Sequence, residues 1–329
     1  MKKLLVTGGA GFIGGNFIHY VLEKYPNYQL YNLDALTYAG ELTKHSAIES
    51  LGNYHFIKAD ITNEHEIMHL FEKERFDFVV HFAAESHVDR SIVDPSVFVQ
   101  TNVLGTQVLL EAARRVGITK FVHVSTDEVY GELELDPTTF FTEETPLQPN
   151  SPYSASKASS DFLVQAYHHT YGIPMNITRC SNNYGPYHFP EKLIPLTISR
   201  VLNNEKIPVY GDGQNIRDWL HVLDHCAAID VVLHEGVDGE VYNIGGHNER
   251  TNLQVVKTIL QALGKSEELI EFVEDRLGHD KRYAIDPSKI EQLGWKPQFT
   301  FETGIHQTIK WYMDNQAWLE QVNRRHIHM

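Results

Sequence analysis

The stretch KLLVTGGAGFIG, residues 3–14, decides the fold. Residues 3–7 are apolar and β-prone and read as a buried strand. Gly8, Gly9, Gly11 and Gly14 follow at once, the last three in G-x-G-x-x-G spacing, and residues 12–25 carry a helical pattern. Glycines let a backbone turn tightly and approach a pyrophosphate closely. The N-terminus of the following helix adds free N–H groups and the positive end of its dipole. A glycine-rich turn alone is common. Placed strand–turn–helix at the head of an alternating pattern, it reads as a dinucleotide site.

Outward from that turn the alternation continues. Runs at 29–34, 54–60, 76–84, 121–125 and 175–180 read as further strands, with helical patterns at 64–73, 98–116 and 154–171. Such spacing predicts an α/β protein with a doubly wound parallel sheet covered on both faces. Past residue 185 the pattern fails: Pro186, Pro190, Pro195 and Pro208 punctuate the chain, and Gly211-Asp212-Gly213 follows. The expectation is a main domain over 1–185 and a smaller lobe over 186–329. A strand-like piece at 241–244 is expected to return to the main sheet, bringing the region 221–244 with it.

Composition agrees with a two-lobed globular chain. It has 329 residues, 42% apolar and 22% charged. No run approaches the ~18 apolar residues of a membrane span. The N-terminal apolar run breaks into glycines after five residues, so a cytoplasmic location is expected. Lys+Arg 28 against Asp+Glu 43 gives −15, which argues against nucleic acid or an anionic membrane as partner. Two cysteines, Cys180 and Cys226, exclude a disulfide framework. The basic tail at 323–329 is expected to fray.

Three local patterns carry chemistry. Asp34 closes the second strand 20 residues beyond Gly14, where a carboxylate can accept both hydroxyls of an adenosine ribose and repel the 2′-phosphate of NADP. NAD is the expected cofactor. Tyr153 and Lys157 stand at i and i+4 of one helix face, so the ammonium, with a nicotinamide cation, is expected to lower the tyrosine's pKa. Ser125-Thr126-Asp127-Glu128 ends the fifth strand, where open α/β sheets bind ligands. In regular strand geometry Asp127 would face away from Thr126 and Glu128, so the chain must leave that geometry for all three to converge. A fourth pattern, His65-Glu66-Ile67-Met68-His69, spells a zinc-protease signature. Ile67, Leu70 and Phe71 make the core stripe of that helix and put both histidines toward solvent. No metal site is expected there.

The motifs VTGGAGFIG, NLDALTYAG, FAAESHVDRSI, STDEVYG, YSASK, RCSNNYGP, FPEKLIP, IRDWLHV and GHDKRYAID together resemble the extended short-chain dehydrogenases/reductases of the NAD-dependent epimerase/dehydratase family. Nearly the whole chain shares in the resemblance, and within the family it is most similar to the nucleotide-sugar 4,6-dehydratases. It implies a Rossmann-type lobe, a C-terminal sugar-nucleotide lobe, a tightly held NAD, dTDP-glucose as substrate and a homodimer. The 4-keto-6-deoxy product would serve rhamnose or another deoxysugar. Tyr153 would take the proton of the 4-hydroxyl during oxidation, Glu128 would remove the C5 proton, and Asp127 would protonate the departing 6-hydroxyl. Thr126 would bind the substrate, and Lys157 would hold the ribose and tune Tyr153.

The implied NAD contacts are Gly8, Gly11, Phe12, Ile13, Gly14, Asp34, Leu36, Thr37, Asp60, Ile61, Phe82, Ala83, Ala84, Thr101, Ser125, Tyr153, Lys157 and Asn182. The implied substrate contacts are Ser86, His87, Thr126, Asn183, Lys192, Leu193, Pro208, Tyr210, Arg217, Asn252, Arg276, His279 and Tyr283. Leu277 stands where the family usually has proline. Val108, Leu109, Phe162 and Tyr167 are candidates to be shared between the core and the implied dimer interface. Related epimerases and UDP- or GDP-sugar dehydratases stay open as alternatives, with Asp127 as the discriminating residue; a binding protein without activity would not need the whole constellation.

Overall fold

The computed structural model describes residues 1–327, with side chains described as far as Arg324. Six strands, β1 (Lys3–Thr7), β2 (Gln29–Asp34), β3 (Tyr54–Lys58), β4 (Phe78–His81), β5 (Lys120–Thr126) and β6 (Met175–Cys180), build the main sheet. Between them run α1 (Phe12–Lys24), α2 (Glu64–Glu74), the short α3 (Val88–Val93) and α4 (Ser96–Phe98), α5 (Thr106–Val116) and α6 (Pro152–Tyr171). The strands β7 (Asn182–Tyr184), β8 (Ile207–Tyr210) and β9 (Ile216–His221) follow in the second lobe with α7 (Leu193–Leu202). After α8 (Val222–Glu235) comes β10 (Val241–Ile244), and it pairs in parallel with β6, Val241 opposite Ile177. The main sheet is therefore seven-stranded and parallel, in the order β10-β6-β5-β4-β1-β2-β3.

Alternation along the strands sends side chains to two cores. Leu4 and Val6 of β1 join α1 and α8 on one face, through Phe17, Ile18, Val21, Ile229 and Val232. Leu5 joins α2, α5 and α6 on the other, through Ile67, Phe71, Leu109 and Val164. Strand order reverses between β1 and β4, which opens a crevice at the carboxyl ends of these strands.

The second lobe holds β11 (Glu249–Thr251), α9 (Asn252–Ala262), β12 (Ile270–Val273), α10 (Ser288–Glu291), α11 (Phe301–Asp314) and α12 (Gln316–Ile327). A three-stranded sheet, β11-β9-β7, and the pair β12-β8 pack around Tyr184, Trp219, Phe301 and Tyr312.

Four sequence expectations need correction. Strand β4 ends at His81 rather than Ala84, because residues 82–86 leave the sheet to line the crevice. The expected helix over 98–116 is interrupted by a π-helical stretch, Val99–Gly105. Residues 323–327 are not frayed: they belong to α12, which buries Leu319 and Val322 and ties Asn323 Nδ2 to Ser199 Oγ at 3.1 Å. His328 and Met329 lie outside the described residues. Finally, Val108 and Leu109 are consumed by the chain's own core, while Phe162 of α6 is 56% exposed and Tyr167 is half-buried against that core.

Candidate active site

A single cleft runs from the glycine turn after β1, across the ends of β4 and β5, to the second lobe. Gly8, Gly11, Phe12, Ile13 and Gly14 form one wall; Asp34, Thr37, Asp60 and Ile61 line the outer end. Phe82, Ala83, Ala84, Ser86, Thr101 and Ser125 make the floor, and Asn182, Asn183, Lys192 and Leu193 close it from the second lobe. Gly8 has φ +74°, and a Cβ there would lie 2.6 Å from the Ala83 nitrogen, so any side chain would pry β1 from β4.

Each element places its residue for a local reason. Ser151 caps α6: its Oγ accepts from the Ser154 nitrogen at 3.1 Å, and Ser154 Oγ accepts from the Ser151 nitrogen at 3.0 Å. Pro152 occupies the first helical position, so the helix starts firmly and Tyr153 and Lys157 share its cleft-facing side. After Thr126 the chain turns into a 3-10 helix, Asp127–Tyr130. That departure from strand geometry lets Thr126, Asp127 and Glu128 all line the cleft with Tyr153 and Lys157.

The carboxyls are unequal. Burial pushes Asp127 well above the ordinary carboxyl range, and the neighbouring charges of Glu128 and Asp218 push the same way. Glu128 is also raised by burial, but Arg276, Arg217 and Lys192 oppose it. Asp127 suits a proton donor and Glu128 a proton acceptor.

Burial, with Glu128 next, raises the Tyr153 pKa well above 10 in the protein alone, and an interaction with Thr126 opposes this. Lys157 does not reach the phenol; its Nζ donates to the Val124 carbonyl at 2.8 Å, and burial lowers it to about 8. Sequence shows which side chains share a face but not how much water they lose.

Other predicted residues stand outside the cleft wall. Leu36 has φ +56° and belongs to the adjoining hollow with Thr37 and Tyr38; its nitrogen donates to Asp34 Oδ1 at 2.8 Å. His87 begins α3, 3.7 Å from Glu191, and burial lowers it to about 4, so it is neutral at pH 7. Arg217 donates to the Asp280 carbonyl at 2.9 Å and covers the Tyr283 ring at 4.2 Å. Tyr283 in turn donates to the Asp280 carboxylate. Arg276 sits 3.5 Å from Asp89, the carboxylate that also lies beside the Tyr210 hydroxyl. His279 pairs with Asp275 at 2.6 Å, Pro208 lies in β8, and Asn252 opens α9. None of these residues is among those lining the cleft, though the charges of Arg217 and Arg276 are felt at Glu128.

Asn102 escaped the sequence reading. The π-helical stretch turns it inward, where Oδ1 accepts from the Glu85 nitrogen at 2.9 Å and Nδ2 donates to Ser156 Oγ at 2.8 Å. The zinc-like pair is placed as expected, with His65 and His69 exposed on α2 and Ile67 and Phe71 buried.

The cleft fits a dinucleotide. Asp34 stands at its outer end with both oxygens already oriented by the Ala10 and Leu36 nitrogens, at 2.9 and 2.8 Å. Deeper in, Ser181 Oγ and Asn182 Oδ1 are buried, cleft-lining polar atoms that lack a protein partner among the described residues.

A family model described as GDP-mannose 4,6 dehydratase matches residues 5–308. A dTDP-glucose 4,6-dehydratase of Xanthomonas campestris pv. campestris is 53% identical over 98% of this chain and 96% of its own length. The crystal structure of the dTDP-glucose 4,6-dehydratase of Bacillus anthracis in complex with NAD superposes with a TM-score of 0.91 at 51% identity, covering 98% of this chain and 100% of that one. DesIV of Streptomyces venezuelae, a dTDP-glucose 4,6-dehydratase solved with NAD bound, gives 0.94 at 47% identity, covering 97% and 99%.

Proposed function

The chain belongs to the GDP-mannose 4,6 dehydratase family, and from that membership we propose that it is an NAD-dependent lyase that converts dTDP-glucose to dTDP-4-keto-6-deoxyglucose. The observation that carries this reading is the pairing of a proton-holding Asp127 with a cation-flanked Glu128 in one cleft with Tyr153.

Bound NAD supplies the hydride acceptor and donor, and a positive ring near Tyr153. With that charge and Lys157 nearby, Tyr153 takes the proton of the sugar's 4-hydroxyl, and Thr126 holds the oxygen. The resulting 4-ketone acidifies C5–H, which Glu128 removes. Asp127 gives its proton to the 6-oxygen, and water leaves. A proton exchanged with solvent at Glu128 then returns to C5 while C6 is reduced to a methyl group. The proton that Tyr153 gained replaces, by way of solvent, the one that Asp127 gave up, and the cofactor ends as it began.

Residues 1–185 with 221–244 make the nucleotide-binding unit and most of 186–329 the sugar-nucleotide unit. Cations collect where an acidic protein must hold a diphosphate: Lys192, Arg217 and Arg276 face the Glu128 end of the cleft. Ser86, His87, Asn183, Leu193, Pro208, Tyr210, Asn252, His279 and Tyr283 complete that end. The working form is a cytoplasmic homodimer joined through α6 and the 99–116 helical segment; Val99, Leu104 and Phe162 are exposed apolar side chains there. Among the described residues no helix is long and apolar enough to cross a membrane.

dTDP-glucose deuterated at C4 tests the reading. The label is expected in the C6 methyl group, with a solvent deuteron at C5 when the reaction runs in heavy water. Label returned to C4 with an intact hydroxymethyl group would instead make the protein an epimerase. Preferential turnover of a UDP- or GDP-sugar would overturn the base assignment.

A further inference from the structure

Lys44 sits in a single 3-10 turn, Thr43–His45, and is 4% exposed. Its ammonium donates to the Ala10 carbonyl at 2.9 Å and the Gly11 carbonyl at 2.7 Å. His45 Nε2 meets the Gly9 carbonyl at 2.8 Å. One three-residue turn thus grips three successive carbonyls of the glycine turn. Gly8 and Gly11 line the cleft, whereas Ala10 and Lys44 do not, so the grip comes from behind.

Room for this side chain is provided by Gly15, where a Cβ would lie 2.7 Å from Lys44 Cδ. The first turn of α1 contains no acidic residue and its N-cap has no side-chain bond, so nothing on that helix neutralises the ammonium. Burying a lysine in this way costs free energy unless its charge is used.

We propose that Lys44 is a positioning residue for the dinucleotide: its ammonium draws the carbonyls of the glycine turn away from the cleft and sets a full positive charge behind the backbone that receives the pyrophosphate. The proposal rests on the NAD reading above. The α1 dipole alone offers roughly half a charge at that point. Lys44 adds its own through a poorly screened interior, offset in part by the carboxylates of Asp34 and Glu41.

The surrounding groups are few. Asp34 from β2 and Glu41 from the preceding loop attract the ammonium, His19 of α1 bonds the Lys44 carbonyl at 2.9 Å, His45 adjoins it, and the Tyr187 ring lies 5.8 Å away. Burial lowers Lys44 to about 8. It also lowers His19 and His45, leaving both neutral above pH 7, and raises Tyr187. Lys44 is the member of this cluster placed to change charge between pH 7 and 9.5. It is charged at the lower end of that range, so anion binding is favoured there and lost as pH rises. The dinucleotide's own phosphates do not titrate in this window.

Calorimetric titration of NAD and ADP-ribose into the nucleotide-free full-length chain, from pH 7 to 9.5, tests this without recourse to turnover. Wild-type affinity is expected to fall about tenfold, the equivalent of one unit of linked protonation. Lys44→Met should start about tenfold weaker at pH 7, and both it and Lys44→Arg should keep only the shallower slope that the cleft's Lys157, also lowered to about 8, contributes. Gly15→Ala, which retains the charge but displaces its stem, should lie between wild type and Lys44→Met. A flat wild-type profile, or a slope undiminished in Lys44→Met, overturns the proposal. A wild-type chain that binds no NAD at any pH overturns the NAD reading instead. Should Lys44→Met fail to fold, the difference in slope between wild type and Lys44→Arg decides, since Lys157, also lowered to about 8, is common to both.

Discussion

Asp127 and Glu128 are adjacent in the chain, yet Glu128 is the strongest charge raising Asp127, while three cations act to keep Glu128 ionised. The 3-10 turn that begins at Asp127 puts both on the cleft. A proton between them belongs to Asp127.

That asymmetry predicts separable defects. Asp127→Asn should slow water loss by about 10²–10⁴-fold while leaving oxidation at C4 intact. Glu128→Gln should also oxidise C4 but should no longer exchange the C5 proton with heavy water. Stopped-flow absorbance of the reduced nicotinamide, which should persist in both variants, and deuterium NMR at C5 check the assignment. Normal turnover by Glu128→Gln would remove it from the base role.

Asp34 accepts from two backbone nitrogens, so it both shapes the turn and faces the expected ribose. The native chain should prefer NAD to NADP, because a 2′-phosphate would meet this carboxylate. Asp34→Ala should weaken NAD by about 1.5–3 kcal/mol, the worth of hydrogen bonds to a charged group. Equal native affinity for the two nucleotides, measured by calorimetry, would contradict the assignment.

Glu74 links α2 to the sheet, accepting from Lys3 Nζ at 2.9 Å and Tyr31 at 2.8 Å. The Lys3 bond is the main cause that lowers its pKa from 4.5 to about 2. A depressed folded-state pKa stabilises above the unfolded value and is lost as pH falls through the folded one. Glu74→Gln should therefore cost about 1 kcal/mol at pH 7. The gap to wild type should close between pH 4.5 and 2, as read from urea midpoints.

Phe162 is a large apolar side chain 56% exposed on α6, whose other face is buried. Phe162→Glu should shift the proposed dimer toward monomer in light scattering at micromolar concentration, with thermal stability of the monomer little changed. A wild-type monomer under the same conditions would refute the dimer outright.

Local chemistry was the legible part of this chain. The glycine turn, the YSASK face and the return of residues 241–244 all announce themselves through spacing or strand composition. The site's electrostatics did not. In the protein alone Tyr153 is raised by a burial that spacing along the chain does not show, because it is set by elements distant in sequence. Asn102 is hidden by a π-helical stretch inside an apparently ordinary helix. Lys44 reads as a surface residue until the fold brings it to carbonyls 33 and 34 positions upstream. Val108 and Leu109 look available for a partner because an apolar stripe does not say which neighbour covers it.

The late return of β10 bears on how the protein is made. A ribosome that has released residue 185 has supplied six of seven strands of the main sheet, with β6 left as a bare edge. The face of β1 beneath α1 is also still missing Ile229, Val232 and Ile244. The nascent chain must therefore wait through some sixty further residues, about 3–12 seconds of synthesis, before its larger core can close. During that interval an unpaired strand edge and an uncovered apolar face are exposed together, the combination that recruits a holding chaperone or a second nascent copy.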